Sequence, residues 1–157
     1  MKKNLLLLFV FCCLFFSSLQ TRAESVGEVV DGSVLTNDKE VTGSTLSNAR
    51  GTYLSNGNAR LSDKGNHVVN VWGCTSCYKT CDQVKVTLHL QKLVNGTWST
   101  VKTLDTKIAY NDHYVSNSKN ITVTGGYYYR IFGSHTAVKG SKSETTSSTT
   151  SGMWVSK

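Results

Sequence analysis

The alternation over residues 84–91 constrains this chain most. Val84, Val86, Leu88 and Leu90 are apolar, and Lys85, Thr87, His89 and Gln91 between them are polar. Successive side chains of a strand point to opposite faces, so this period of two describes a half-buried strand. A helix would need apolar residues three and four apart, and no window after residue 23 shows a convincing stripe of that kind. The alternation runs into Val94-Asn95-Gly96-Thr97. Asn-Gly suits the centre of a type I′ hairpin turn, where both central residues take positive φ. A two-residue loop there pairs Leu93 with Trp98 and Leu90 with Val101. That places Leu90 and Val101 on one face and Trp98 with His89 on the other, and a bulge would reverse part of it.

Further strands are predicted at 51–55, 67–72, 114–116, 121–124, 127–133 and 152–155, punctuated by Gly, Asn, Ser and Asp. The chain has no proline, so its turns rest on Gly, Asn and Asp. Residues 141–151, rich in Ser and Thr, read as a solvated strand or a loop. The expected fold is all-β, a single antiparallel β-sandwich of immunoglobulin or fibronectin-like architecture, over residues 50–157.

Two segments precede it. Lys2 and Lys3, an apolar run over 5–16, and a polar end at Thr21-Arg22-Ala23 have the build of a secretory signal peptide cut near Glu24. The run is shorter than the about 20 residues a spanning helix takes. Phe11, not a small residue, precedes Cys12, which argues against a lipid anchor. The expected product is secreted, extracellular and soluble, with no stable membrane insertion. Residues 24–49 are rich in Ser, Thr, Gly, Asn and acid and read as a flexible acidic tail, or as a pro-segment ahead of a basic body.

Charge follows this division. The whole chain is +7; losing Lys2, Lys3 and Arg22 leaves 14 basic against 10 acidic residues, or +4. Residues 24–40 carry five acids and Lys39, a net −4, and residues 41–157 carry 13 basic and 5 acidic residues, a net +8. A cationic body favours anionic surfaces. Nucleic acid is a poor partner for it, because the lysines are scattered and no stacking motif accompanies them.

Tyr127, Tyr128, Tyr129, Arg130 and Phe132 form the densest aromatic stretch. Tyr128, Arg130 and Phe132 share one strand face, so Tyr128 and Arg130 with Trp98 are candidates for a patch that binds sugar rings or a protein loop. Otherwise these tyrosines line the core, with their hydroxyls at the sandwich edge. A Lys139-Gly140 turn would set His135 opposite Glu144, where the carboxylate would orient the ring. That pair suits a structural hydrogen bond between strands better than acid–base catalysis, since no reacting partner is placed beside it.

Several signatures together resemble a family of small secreted proteins of Gram-positive bacteria defined only as a domain of unknown function. They are Gly73–Val84 with Thr75, Asp82 and Val84; Asn95-Gly96-Thr97-Trp98; Gly125-Gly126-Tyr127-Tyr128-Tyr129-Arg130; Gly133-Ser134-His135; Glu144; Asp31-Gly32-Ser33; and Arg50-Gly51. The resemblance covers most of the chain after residue 23 and brings no activity, ligand or catalytic residue. It implies apolar, inward-facing positions at 77 and 81, where relatives often carry Ala and Val. That bears on Cys74, Cys77 and Cys81, which form a C-x₂-C-x₃-C run. Export permits a disulfide; Cys77–Cys81 is favoured, with Cys74–Cys81 next. A metal site would need a fourth converging ligand, and the four histidines lie in separate predicted elements, so neither metal nor cofactor is expected.

The expected function is that of a secreted, non-catalytic binding or surface-interaction module. Its partner would be a cell-wall polymer, a glycan, or a host or bacterial surface protein. The alternative is a cationic antimicrobial or toxin-like protein released from an acidic pro-segment near Arg50-Gly51.

Overall fold

The computed structural model describes residues 24–45 and 51–157. They form ten strands: β1 (Val29–Val30), β2 (Ser33–Thr36), β3 (Glu40–Ser44), β4 (Leu54–Asp63), β5 (Val68–Val94), β6 (Thr97–Thr103), β7 (Lys107–Thr122), β8 (Tyr127–Lys139), β9 (Lys142–Thr149) and β10 (Gly152–Val155). No helix occurs among the described residues. The signal-peptide expectation falls on residues 1–23, outside them, and so does Arg50.

The 27-residue β5 organises the rest. It carries two apolar alternations that are out of phase. Val69, Val71, Thr75 and Cys77 are buried at odd positions, and Val84, Val86, Leu88 and Leu90 at even ones. The phase changes where Ser76 still pairs with Tyr114 and Cys81 next pairs with Asp112. Four residues of β5, 77–80, there oppose the single His113 of β7. A bulge of this kind bends its strand and resets which side chains face inward. Without it, Lys85, Thr87 and His89 would point into the core.

The bend folds the sheet on itself. Along one edge of β5, β4 pairs before the bend and β8 after it. Along the other edge, β7 follows β5 through the bend and β6 takes over at its end. The two halves of β5 then pack face to face, so closely that a Cβ on Gly73 would sit 2.6 Å from a methyl of Leu88. On the far side β3 approaches β9, where a Cβ on Gly43 would strike the Thr149 carbonyl. Leu61, Val71, Val86, Leu88, Tyr129 and Ile131 fill the space between.

The all-β expectation therefore holds, but the architecture is a curled, half-barrel sheet and not two separate antiparallel layers. β5 and β7 run through both halves, and β2 pairs with β10 in parallel, which makes the sheet mixed. The β5–β6 turn is as expected, with Asn95 and Gly96 at φ 50° and 73° and Leu93 opposite Trp98. A bulge skips Val101, so Leu90 faces Lys102 and Val101 is left exposed.

The expected flexible tail is not one over its described part. β1 and β2 form a hairpin, β2 pairs with β10, and β3 pairs with β4. Leu35 and Val41 are buried, and Glu24 accepts the Gly96 N–H at 2.7 Å. Composition counts apolar residues but not the partner surfaces that await them. Two well-placed side chains and backbone pairing order this segment.

Candidate binding surface

The structure does bring Trp98, Tyr128 and Arg130 together, but their occupant is the chain itself. The Arg130 guanidinium lies 4.5 Å from the Trp98 ring centroid. It donates from Nε to Gln91, from one terminal nitrogen to the Asp31 carbonyl and the Ser33 hydroxyl, and from the other to the Asp31 carboxylate, all at 2.8–2.9 Å. The indole N–H of Trp98 donates to the Val30 carbonyl at 3.0 Å. Tyr128 packs edge-on against Trp154 at 4.9 Å. With Leu35 and Leu93 these residues form a second small core beneath the β1–β2 hairpin. Tyr128 and Arg130 stand on the outer sheet face, as their strand phase requires, yet both are buried.

His135 and Glu144 are not a pair. The β8–β9 turn is centred one residue later than expected, so Ala137 opposes Glu144 and His135 opposes Thr146. Asp82 holds this turn, accepting the Gly140 N–H at 2.7 Å and the Lys139 ammonium at 2.8 Å. Glu144 accepts the backbone N–H groups of Thr52, Tyr53 and Leu54 at 2.8–3.0 Å, clamping the start of β4. Desolvation pushes its carboxyl up, but these donors and Lys142 outweigh it and hold the group below its usual range.

His135 sits inside the sheet in a chain of polar groups. Thr75 donates its one hydroxyl proton to the Lys85 carbonyl at 2.8 Å. Its oxygen therefore accepts from His135 Nδ1 at 2.9 Å, and Nε2 is left to accept from the Ser148 hydroxyl at 2.8 Å. The order of groups is that of an activated serine. However, Thr75, His135 and Ser148 are at most 1% exposed, so no substrate reaches them. Burial pushes His135 down to about 4.

Cys77 and Cys81 face inward at the bend of β5 as free thiols, and Cys74 lies on the opposite face of the strand. Among the described residues, no three His, Cys, Asp or Glu side chains are grouped to hold a metal ion. No helix among them is long and apolar enough to cross a membrane.

The open surface lies elsewhere, on the outer face of β3, β4, β5 and β7, and sequence reasoning missed it. Trp72 of β5 stands between Arg60 of β4 and Ser118 of β7. One pair further along, Asn70 stands between Ser62 and Asn120, and its amide donates to Asn120 at 2.8 Å and to Ser118 at 3.1 Å. In the other direction, Cys74 lies between Asn58 and Ser116, and Ser76 between Asn56 and the exposed Tyr114. The Arg60 guanidinium stacks 5.0 Å from the Trp72 centroid. Its Nε has no hydrogen-bond partner among the described residues, with Glu40 at 3.8 Å. Thr42, Ser44, Asn58, Arg60 and Trp72 border a shallow depression of about 500 Å³. The sequence does show part of the pattern, polar residues at every second position of β4 (Asn56, Asn58, Arg60, Ser62) and Asn70 and Ser76 either side of Trp72 and Cys74 in β5. Their adjacency depends on strand register, which the sequence does not display.

No curated protein and no solved structure matches this chain. Residues 23–153 match the model of a family of unknown function, DUF6147, which spans β1 to β9 and the start of β10. The chain belongs to the DUF6147 family.

Proposed function

We propose that this protein is a secreted, non-catalytic binding module acting outside a Gram-positive cell, and that it takes a polyhydroxylated chain, a surface or cell-wall glycan, on the outer face of β3–β4–β5–β7. The observation that carries the reading is the setting of Trp72, an indole flanked by the Arg60 guanidinium and by rows of side-chain amides and hydroxyls on one sheet face. Vicinal hydroxyls both donate and accept, as Asn and Ser side chains do. The C–H face of a sugar ring packs on an indole while its rim is hydrogen-bonded, the usual division of labour in a small-ligand site. A depression of similar size, about 530 Å³, opens beside Arg130 between Asp31, Gln91, Phe132 and Thr149, but no indole lines it.

Retention of labelled protein on purified cell walls, with soluble wall oligosaccharides as competitors, tests the proposal. Trp72→Ala should reduce retention at least about tenfold, the equivalent of 1.4 kcal/mol, with the circular dichroism unchanged. Absence of retention on walls and glycans, or retention indifferent to Trp72→Ala, overturns it. The antimicrobial alternative finds no support in the geometry. A cut near Arg50-Gly51 would remove β1, β2 and β3 and uncover Leu93, Tyr128 and Leu61.

A further inference from the structure

We propose that Cys77 and Cys81 are a built dithiol site that closes to an intramolecular disulfide, with Cys74 excluded from it. In a regular strand, residues four apart are separated by about 13 Å, well beyond the about 7 Å that a disulfide tolerates between Cα atoms. The bulge of β5 removes this obstacle. Four residues looped against His113 carry the chain back, so both side chains enter the same core. Cys77 is 8% exposed and Cys81 is fully buried, and the Cys81 thiol donates to the Lys79 carbonyl at 3.4 Å inside the bulge. Cys74 cannot compete. It lies on the outer face, against the Asn58 amide at 3.8 Å and beside Tyr114.

The oxidant is a disulfide, either oxidised glutathione or a thiol–disulfide oxidoreductase. One cysteine, as thiolate, attacks a sulfur of that disulfide and expels one thiolate. The second cysteine then attacks the mixed disulfide and expels the other. The protein loses two protons and two electrons, and the oxidant becomes two thiols. Burial, with Cys81 adding to it, pushes the Cys77 thiol up to about 12, so the folded dithiol reacts slowly and closure belongs to the folding chain. The bond would pin the bulge that presents the exposed Tyr78 and holds Lys79 at 5.3 Å over the Tyr53 ring.

The test is refolding of the full chain in oxidised glutathione, followed by alkylation under denaturing conditions and peptide mapping without reduction. The expected product links Cys77 to Cys81 and leaves Cys74 alkylated. Closure should be at least tenfold slower when the same buffer is added to protein already folded and reduced. Cys74→Ser should close as the parent does. Alkylation of Cys74, Cys77 and Cys81 alike, a Cys74–Cys81 link, a link from Cys77 or Cys81 to Cys12 or Cys13, or glutathione persisting on Cys77 or Cys81 overturns the proposal. The map of the unsubstituted chain suffices for this, so no variant has to fold.

Discussion

His135 Nδ1 lies 2.9 Å from Thr75 Oγ1, and this one hydrogen bond ties the two halves of the curled sheet together through a neutral imidazole. Because Thr75 spends its proton on the Lys85 carbonyl, the ring must donate from Nδ1. Protonating Nε2 would turn it into a second donor facing Ser148 in a site without water access. The ordinary histidine value of 6.5 falls to about 4 in the fold. The unfolded chain therefore takes up a proton before the folded one does. Stability from this group is complete above 6.5, declines as pH falls from 6.5 to about 4, and is flat below. Its size over that window is about 3 kcal/mol. Urea denaturation at pH 7 and pH 4 should show the loss, and His135→Gln should lose most of the dependence between pH 6.5 and 4.5.

The ring occupies a slot that only glycine leaves open. A Cβ on Gly57 would fall onto the His135 ring, and one on Gly133 would sit 2.7 Å from the Ser148 hydroxyl. Gly57→Ala should destabilise by roughly 1–3 kcal/mol through overpacking. Adding His135→Ala should recover about 1 kcal/mol of that, a coupling that a double-mutant cycle measures.

Arg130 and Asp31 should respond very unequally to substitution. Arg130 is buried and its guanidinium makes four hydrogen bonds, while the Asp31 side chain is 78% exposed. Arg130→Ala should cost roughly 2–4 kcal/mol from lost charged hydrogen bonds and the Trp98 stack. Asp31→Asn should cost no more than about 1 kcal/mol. Hydrogen exchange checks the location. Arg130→Ala should lower protection at the Gly27 and Leu35 amides, which bond within the N-terminal hairpin.

Glu144 should act in a different pH range from His135. Its folded carboxyl sits below the ordinary 4.5, so its stabilisation is present above that value and lost as pH falls through the folded one. Glu144→Ala removes the acceptor of three backbone donors and should cost roughly 1–3 kcal/mol at pH 7. Glu144→Gln, which keeps one acceptor oxygen, should cost less. A stability profile of Glu144→Ala that still falls below pH 4 as steeply as the parent would contradict this assignment.

The period-two runs, the Asn95-Gly96 turn and the absence of helical stripes were enough to establish an all-β chain and its central hairpin, because strand phase and turn geometry are local properties of a few residues. The joining of residues 68–94 into one strand was not legible. Its two alternations are out of phase, and only the bulge at the cysteines reconciles them. The same limit applies to the candidate residues. Strand phase correctly placed Tyr128 and Arg130 on one face, but whether a face is open depends on what covers it. The β1–β2 hairpin, about 100 residues away in sequence, covers that one. Trp72, Arg60 and Asn70 were individually unremarkable, since a shared surface exists only once the registers of β4, β5 and β7 are set by side chains packing across the sheet.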